Sequence, residues 1–182
     1  MGPVVGNYPR VRIAAAAPEH LALAAAVLDE ASGRVAAMGW RQWPIPFPVD
    51  SVIFPETAAV CFLAWDRATA VGTFTLQRRD PTFWPEAVEA VGGLAAWGED
   101  GTRPAYLHRF ATRNGYRGLG GVVLREAERI ASSWDANLMR LDCMAANPKI
   151  RRYYEDAGYE YRGDIQPPHL DFPASRYEKR LG

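Results

Sequence analysis

The stretch AYLHRFATRNGYRGLGGVVLREAERIASSWDANLMRLDCMAANPKIRRYYEDAGY, residues 105–159, decides the fold. It opens on a strand pattern, Ala105 to Thr112, and runs through a glycine-rich turn, Gly115 to Gly121. Val123, Ala127, Ile130, Ala131 and Trp134 then share one face of a helix. Leu138 to Met144 reads as a second strand. Asn147 offers a side-chain oxygen to cap the next helix, and Pro148, which lacks an N–H, suits its first position. Ile150, Tyr153, Tyr154 and Ala157 form that helix's buried stripe, and Gly158 closes it.

Working outward, Arg10 to Ala14 alternates apolar and basic residues as a strand does. Leu21, Ala24, Leu28 and Ala31 set a helical period after Pro18, and Gly33 is expected to stop it. Met38 to Pro55 is irregular, with prolines at 44, 46, 48 and 55 leaving room for one short helix. Ala59 to Trp65 and Ala70 to Gln77 are strands flanking a hairpin-sized gap. About 27 residues separate this hairpin from the next strand, a span usually functional or partly structured. Pro85 to Val91 is expected to form a short helix within it. Tyr159 to Arg162 and Arg176 to Leu181 are closing strands. The predicted order is β-α-irregular-β-β-β-α-β-α-β-β, with no repeat and no linker. One domain over residues 1–182 is expected.

Basic and acidic residues both number 21, so no net field draws the chain to nucleic acid or an anionic membrane. No apolar run is long enough to span a bilayer, and Met1 to Arg10 lacks a signal-peptide pattern, so a cytoplasmic location is expected. Cys61 and Cys143 sit within apolar, strand-like runs and read as small buried hydrophobes. His20, His108 and His169 are too scattered for a metal-binding spacing, and no metal is expected.

Strand, glycine-rich turn and helix together can hold a phosphate, because exposed N–H groups at a helix start face an anion that glycines let approach. The same glycines also serve a sharp turn with no ligand. The second half of a dinucleotide-binding unit is absent, and no Lys-Ser or Lys-Thr follows the glycines as a Walker motif requires.

Two ordered motifs carry a resemblance. Arg117-Gly118-Leu119-Gly120 leads into Leu-Arg-Glu-Ala-Glu at 124–128, and Arg-Leu-Asp at 140–142 precedes Asn147-x-x-Ile150-x-x-Tyr153-Tyr154-Glu155-x-x-Gly158-Tyr159. This run resembles the core of the GNAT superfamily of acyl-CoA-dependent N-acyltransferases. The resemblance implies an α/β fold with a mixed, partly antiparallel central sheet and helices on both faces. One departure stands out. Counting back from the helix puts the loop's first motif position on Gly115, whereas counting forward from the strand puts it on Arg117, so the loop is shorter than the family pattern.

The resemblance implies acetyl transfer from acetyl-CoA to an amine by direct attack in a ternary complex. It also admits another acyl-CoA, an acyl carrier protein donor, or a non-catalytic sensor. The donor is expected along Phe110, Ala111 and Thr112, with its pyrophosphate at Arg117, Gly118, Leu119, Gly120 and Gly121, and near Asn147 and Tyr154. Tyr154 holds the family's place for the acid that protonates the leaving thiolate, or it simply packs; Tyr153 reads as core. His108 resembles a strand histidine that draws the amine's proton, though a structural histidine fits as well; Tyr106, two residues away on the same face, could share the site. Asp142 is a weaker base candidate. The aromatic stretches 40–54 and 83–97, with Trp40, Trp43, Phe83, Trp84 and Trp97, occupy positions that border the acceptor groove in this fold, where they would line a hydrophobic pocket or pack in the core. A small-molecule amine is expected over a protein acceptor, and a homodimer is compatible with the sequence.

Overall fold

The structure is a computed structural model that describes residues 8–53, 58–85 and 101–182. Its elements are β1 (Val11–Ala15), α1 (Leu21–Ala37), β2 (Val60–Asp66), β3 (Thr69–Gln77), β4 (Pro104–Thr112), α2 (Leu119–Ser133), β5 (Leu138–Met144), α3 (Pro148–Asp156), β6 (Glu160–Ile165) and β7 (Ala174–Arg180). The strands follow the order β1-β2-β3-β4-β5-β7-β6. β4 runs parallel to β5, whereas β1–β2, β2–β3, β5–β7 and β6–β7 are antiparallel. This is the mixed α/β class expected. The helix expected over Pro85 to Val91, and the surroundings of Phe54 and Trp97, lie outside the described residues.

The chain divides into two compact units, each assembled from two stretches. The first comprises residues 1–76 and 109–127. Here α1 buries Ala24, Val27, Leu28 and Ala31 among Phe47, Val52, Cys61, Leu63, Ala70 and Ala111. Burying a Leu28-sized side chain is worth about 1.5–3 kcal/mol, enough to hold a helix rich in alanine on its sheet. Gly33 does not end α1, which continues to Ala37. A helical glycine costs only about 1 kcal/mol, and continuation brings Arg34 within 3.6 Å of Glu30 and 2.6 Å of the Thr112 carbonyl. Gly39, at φ +89°, follows the helix end instead. Among the described residues of the proline-rich stretch a 3-10 turn forms at Val49–Ser51.

Gly72 in β3 sits where an added Cβ would meet the Ala111 carbonyl oxygen and the Ala64 Cβ, both at 3.3 Å. The β2–β3 register shifts at Ala64/Trp65, opposite this glycine. A bare backbone is needed there because two neighbours crowd it from different sides.

The second unit comprises residues 77–108 and 128–182. Pro104 to Leu107 of β4 pair with Leu138 to Leu141 of β5, and the ladder stops there. Beyond it Asp142, Cys143 and Met144 pair only with β7 among the described residues, so the β5 edge opens at Asp142. β7 lies between β5 and β6, a placement that chain order alone does not give. Asn147 caps α3 as expected, its side chain accepting from the amides of Lys149 (3.1 Å) and Ile150 (3.3 Å). Of the expected stripe only Tyr154 is buried; Ile150, Tyr153 and Ala157 are half-buried. Gly158, at φ +87°, turns the chain into β6.

Candidate active site

In the first unit the glycine-rich segment resolves into a tight entry to α2. Gly115 and Gly118 have φ +82° and +85°, which only glycine adopts without strain. The helix starts at Leu119, earlier than expected, so Gly120 and Gly121 lie in its first turn rather than in the loop. The Leu119 amide donates to the Tyr116 carbonyl at 3.1 Å. The next amides have no partner within a helix and carry its positive dipole end.

The loop is braced from behind. Glu30 of α1 accepts from Arg113 (2.8 Å) and from the Asn114 amide. That amide is the main reason its carboxyl is held below the usual range, with Arg113 adding to the effect. Arg113 also donates to the Ala70 carbonyl at 2.8 Å, so its guanidinium is committed to structure. Arg117 is exposed, and its carbonyl accepts from the Tyr8 hydroxyl at 2.8 Å. Of these two arginines, Arg117 is therefore the cation open to an anion. Ala111 is buried, while Phe110 and Thr112 are half-buried at the end of β4.

In the second unit His108 is the centre. Its Nε2 lies 3.1 Å from Asp80 Oδ2 and its Nδ1 lies 3.4 Å from Asp142 Oδ1. The other Asp80 oxygen accepts from the amides of Thr82 (3.2 Å) and Phe83 (3.1 Å), so the carboxylate is locked in a small turn. The Phe83 ring lies 5.8 Å from His108 and 6.2 Å from His169. Ligand atoms of Asp80, His108 and Asp142 lie within 4.8 Å of one another, a spacing that a cation could also use. Histidine spacing in the sequence gives no sign of that.

Tyr106 is 1% exposed, and its hydroxyl accepts from Arg140 at 3.3 Å. Trp84 is buried as well, with the Arg140 and Arg176 guanidinium carbons 4.5 and 4.9 Å from its ring. Arg176 also donates to the Phe83 carbonyl at 3.3 Å. Trp84 thus fastens the segment carrying Asp80 and Phe83 to the sheet. Trp43 packs against the core of the first unit, and Trp40 is half-buried.

Tyr154 is 5% exposed, ringed by Tyr153, Tyr159 and Tyr177 at 5.3, 5.8 and 6.1 Å. Burial pushes its phenol well above the usual range, and Cys143, Tyr153 and Asp142 add to the effect. Cys143 beside it is 2% exposed, and its thiol is pushed up to about 12, first by burial and then by Asp142. Cys61 is 3% exposed and is raised by burial too.

The profile of the acetyltransferase (GNAT) family matches residues 33–159, which include both motifs and the His108 strand. The chain belongs to this family. An uncharacterized N-acetyltransferase, YesJ of Bacillus subtilis (strain 168), is 37% identical over 78 residues, a match covering 41% of this chain and 43% of that protein. The match therefore spans less than half of that relative. A GNAT-family acetyltransferase from Listeria monocytogenes 4b F2365 shares the fold with a TM-score of 0.66 at 19% identity, covering 94% of this chain and 95% of that one. FeeM, an N-acyl amino acid synthase from uncultured soil microbes, does so with a TM-score of 0.66 at 13% identity, covering 94% and 92%.

Within this GNAT chain the structure brings His108 and Asp142 together and keeps Tyr154 within electrostatic reach of Asp142. Tyr106 stands on the same strand but turns its hydroxyl to Arg140. Asp80 is the residue that sequence reasoning missed. It lies in the long connection after β3, and only its place before Pro81 and Thr82, a turn signal, marked it.

Proposed function

We propose that the protein is an N-acyltransferase that moves an acetyl group from acetyl-CoA to a small-molecule amine by direct attack. The observation that carries this reading is the entry to α2. A positive-φ glycine, an exposed arginine and a helix N-terminus coincide where the family binds the donor's pyrophosphate. Arg117 supplies the charge, and the first-turn amides of α2 supply directed donors. Glu30 and Arg113 keep the loop in position before the donor arrives.

The chemistry needs an amine without its extra proton and a thiolate that receives one. The His108 cluster takes the first proton. Tyr154 is read as the source of the second: its raised phenol stays protonated at neutral pH, so the proton is always present to give. The amine nitrogen bonds to the thioester carbon, the carbon–sulfur bond breaks, the sulfur leaves as a thiol with the phenolic proton, and the proton that the acylated nitrogen then loses restores the Tyr154 phenol.

A second reading is a longer acyl donor or an acyl carrier protein. The short loop favours it, since fewer amides face the pyrophosphate, and FeeM, which shares the fold, is an N-acyl amino acid synthase. A mass-spectrometric screen separates these readings by offering several acyl-CoA and acyl-carrier donors against a panel of amines. Acetylated amine formed from acetyl-CoA is the expected product. Products from long-chain donors alone would replace the acetyl reading. Donor binding with no product from any amine would leave a sensor.

A further inference from the structure

Ligating side chains of the second unit converge where β4 and β5 part. Leu107 opposite Leu141 is the last pair of their parallel ladder, so His108 and Asp142 stand one step beyond it. Arg109, at φ +52°, takes β4 out of strand geometry directly after His108. Room thus opens beside two side chains that a continuing ladder would hold in register. The Asp80 turn brings another carboxylate to the imidazole from the connection after β3.

The spacing is that of ligands around one ion. Asp80 Oδ2 lies 3.1 Å from His108 Nε2, and Asp142 Oδ1 lies 3.4 Å from His108 Nδ1. One ligand atom from each of Asp80, His108 and Asp142 lies within 4.8 Å of the other two. Donors bonded to a zinc-class ion at about 2.0–2.2 Å sit roughly 3–3.5 Å apart. The Asp142 side chain is 16% exposed, so its carboxyl has room to rotate and close the remaining gap.

Asp80 supplies a second, independent sign of a ligand. Its side chain is 2% exposed. Oδ1 accepts from the Thr82 and Phe83 amides, whereas the buried Oδ2 accepts no hydrogen bond among the described residues although it stands against the imidazole. A buried carboxylate oxygen without a donor is costly. An ion held between that oxygen and the ring supplies the missing partner. The donors also set its class. An imidazole nitrogen with carboxylate oxygens suits zinc and its neighbours, whereas magnesium and calcium favour oxygen alone. Arg176 faces Asp142 across the β5–β7 ladder. A carboxylate offers about four lone-pair sites, enough for a guanidinium and an ion together.

We propose that Asp80, His108 and Asp142 bind a divalent metal ion of the zinc class, with water completing its shell, and that the bound ion switches acyl transfer off. Binding depends on the three side chains alone, while the switch rests on the acyltransferase reading above. In that reading an imidazole nitrogen takes a proton with its lone pair. The ion occupies the same lone pair and pins the ring between two carboxylates, so it acts as a reversible inhibitor and not as a cofactor. Removing the ion returns the lone pair and the activity.

The test titrates the chelator-treated full chain with Zn²⁺ and Mg²⁺ in a calorimeter. One Zn²⁺ per chain is expected, and a hundredfold excess over Kd should raise the melting temperature by about 5–10 °C. The thiols of Cys61 and Cys143, 3% and 2% exposed, are sealed from the ion in the folded chain. Asp80→Asn keeps an oxygen for the Thr82 and Phe83 amides but loses the anionic ligand, so it should weaken Zn²⁺ by at least about tenfold. His169→Ala, at an exposed histidine, should leave Zn²⁺ binding as it was. Unchanged affinity in Asp80→Asn, an equal loss in His169→Ala, or Mg²⁺ binding as tightly as Zn²⁺ overturns the site. Should Asp80→Asn fail to fold, Co²⁺ bound to the wild-type chain decides: its visible bands should shift and intensify, and the spectrum of the aqueous ion overturns the site. The switch is read by mass spectrometry of the acylated amine. Saturating Zn²⁺ should lower turnover by at least about tenfold, and a chelator should restore it. Asp80→Asn, measured against its own metal-stripped rate, should need at least about tenfold more Zn²⁺ for the same loss. Full turnover with the site saturated overturns the switch. Zn²⁺ binding at this site in a chain that acylates no amine from any donor would remove the acyltransferase reading and the switch, and would leave the ion site supported.

Discussion

Tyr154→Phe isolates one oxygen atom in a ring cluster that otherwise stays intact. The three neighbouring rings, at 5.3, 5.8 and 6.1 Å, pack on the aromatic face that phenylalanine keeps. Stability should therefore change by less than about 1 kcal/mol, a melting shift within roughly 2–4 °C for a chain of this size. A general acid contributes about 10²- to 10⁴-fold, equivalent to about 2.7–5.4 kcal/mol of barrier. The two effects differ enough to be told apart. Single-turnover mixing with saturating donor and acceptor measures the chemical step, and calorimetric titration of the donor checks that binding is kept. Because burial raises the phenol well above its usual range, the wild-type rate should also show no loss from phenol ionisation as pH climbs through 9. A variant with the wild-type single-turnover rate would refute the acid role and leave Tyr154 as packing.

Arg117→Ala should weaken coenzyme A by about 10- to 150-fold, the range for one charge-assisted contact of 1.5–3 kcal/mol, while a pantetheine fragment lacking the pyrophosphate binds as before. Equal losses in calorimetric titration would take Arg117 out of the phosphate site. Asn147→Ala strips the cap from two α3 amides and should cost about 1–2 kcal/mol, read as a fall of several degrees in melting temperature that Asn147→Asp largely restores. Glu30 has a depressed carboxyl in the folded state, so its stabilisation is present above the unfolded value near about 4.3 and is lost as pH falls through the folded one. Glu30→Gln should flatten the stability slope between about pH 5 and pH 2, and an unchanged slope in denaturant titrations would contradict the loop-bracing role.

Much of the fold could be read along the chain, because its signals are local. Asn147-Pro148 and Gly158 bracket α3 through capping chemistry that involves no distant partner. The strand at Leu138–Met144 falls where its apolar run does. Gly33 misled because a glycine's local penalty is small against Arg34 bonding a carbonyl that lies 78 residues away. The insertion of β7 between β5 and β6 is likewise a matter of long-range pairing. In the site, His108 and Tyr154 stand out by position in motifs. Asp80 and the Arg140–Trp84–Arg176 stack do not, since they join residues from separate strands and a connection with no periodic pattern. Trp84 illustrates the limit. A tryptophan in an irregular segment reads equally as pocket wall or as anchor, and the guanidiniums against its ring come from strands that the sequence does not place beside it.

The two cysteine thiols bear on how this protein can be watched at work. Both are sealed from solvent, and Cys143 is held near 12, so almost no thiolate is available at neutral pH. A chromogenic disulfide reagent added to the folded protein should therefore stay colourless until coenzyme A is set free, and colour then counts turnovers directly. The same silence makes a clock. Once the chain opens, both sulfurs react, so slow colour development in the absence of substrate times spontaneous unfolding, one molecule for every two equivalents of dye released.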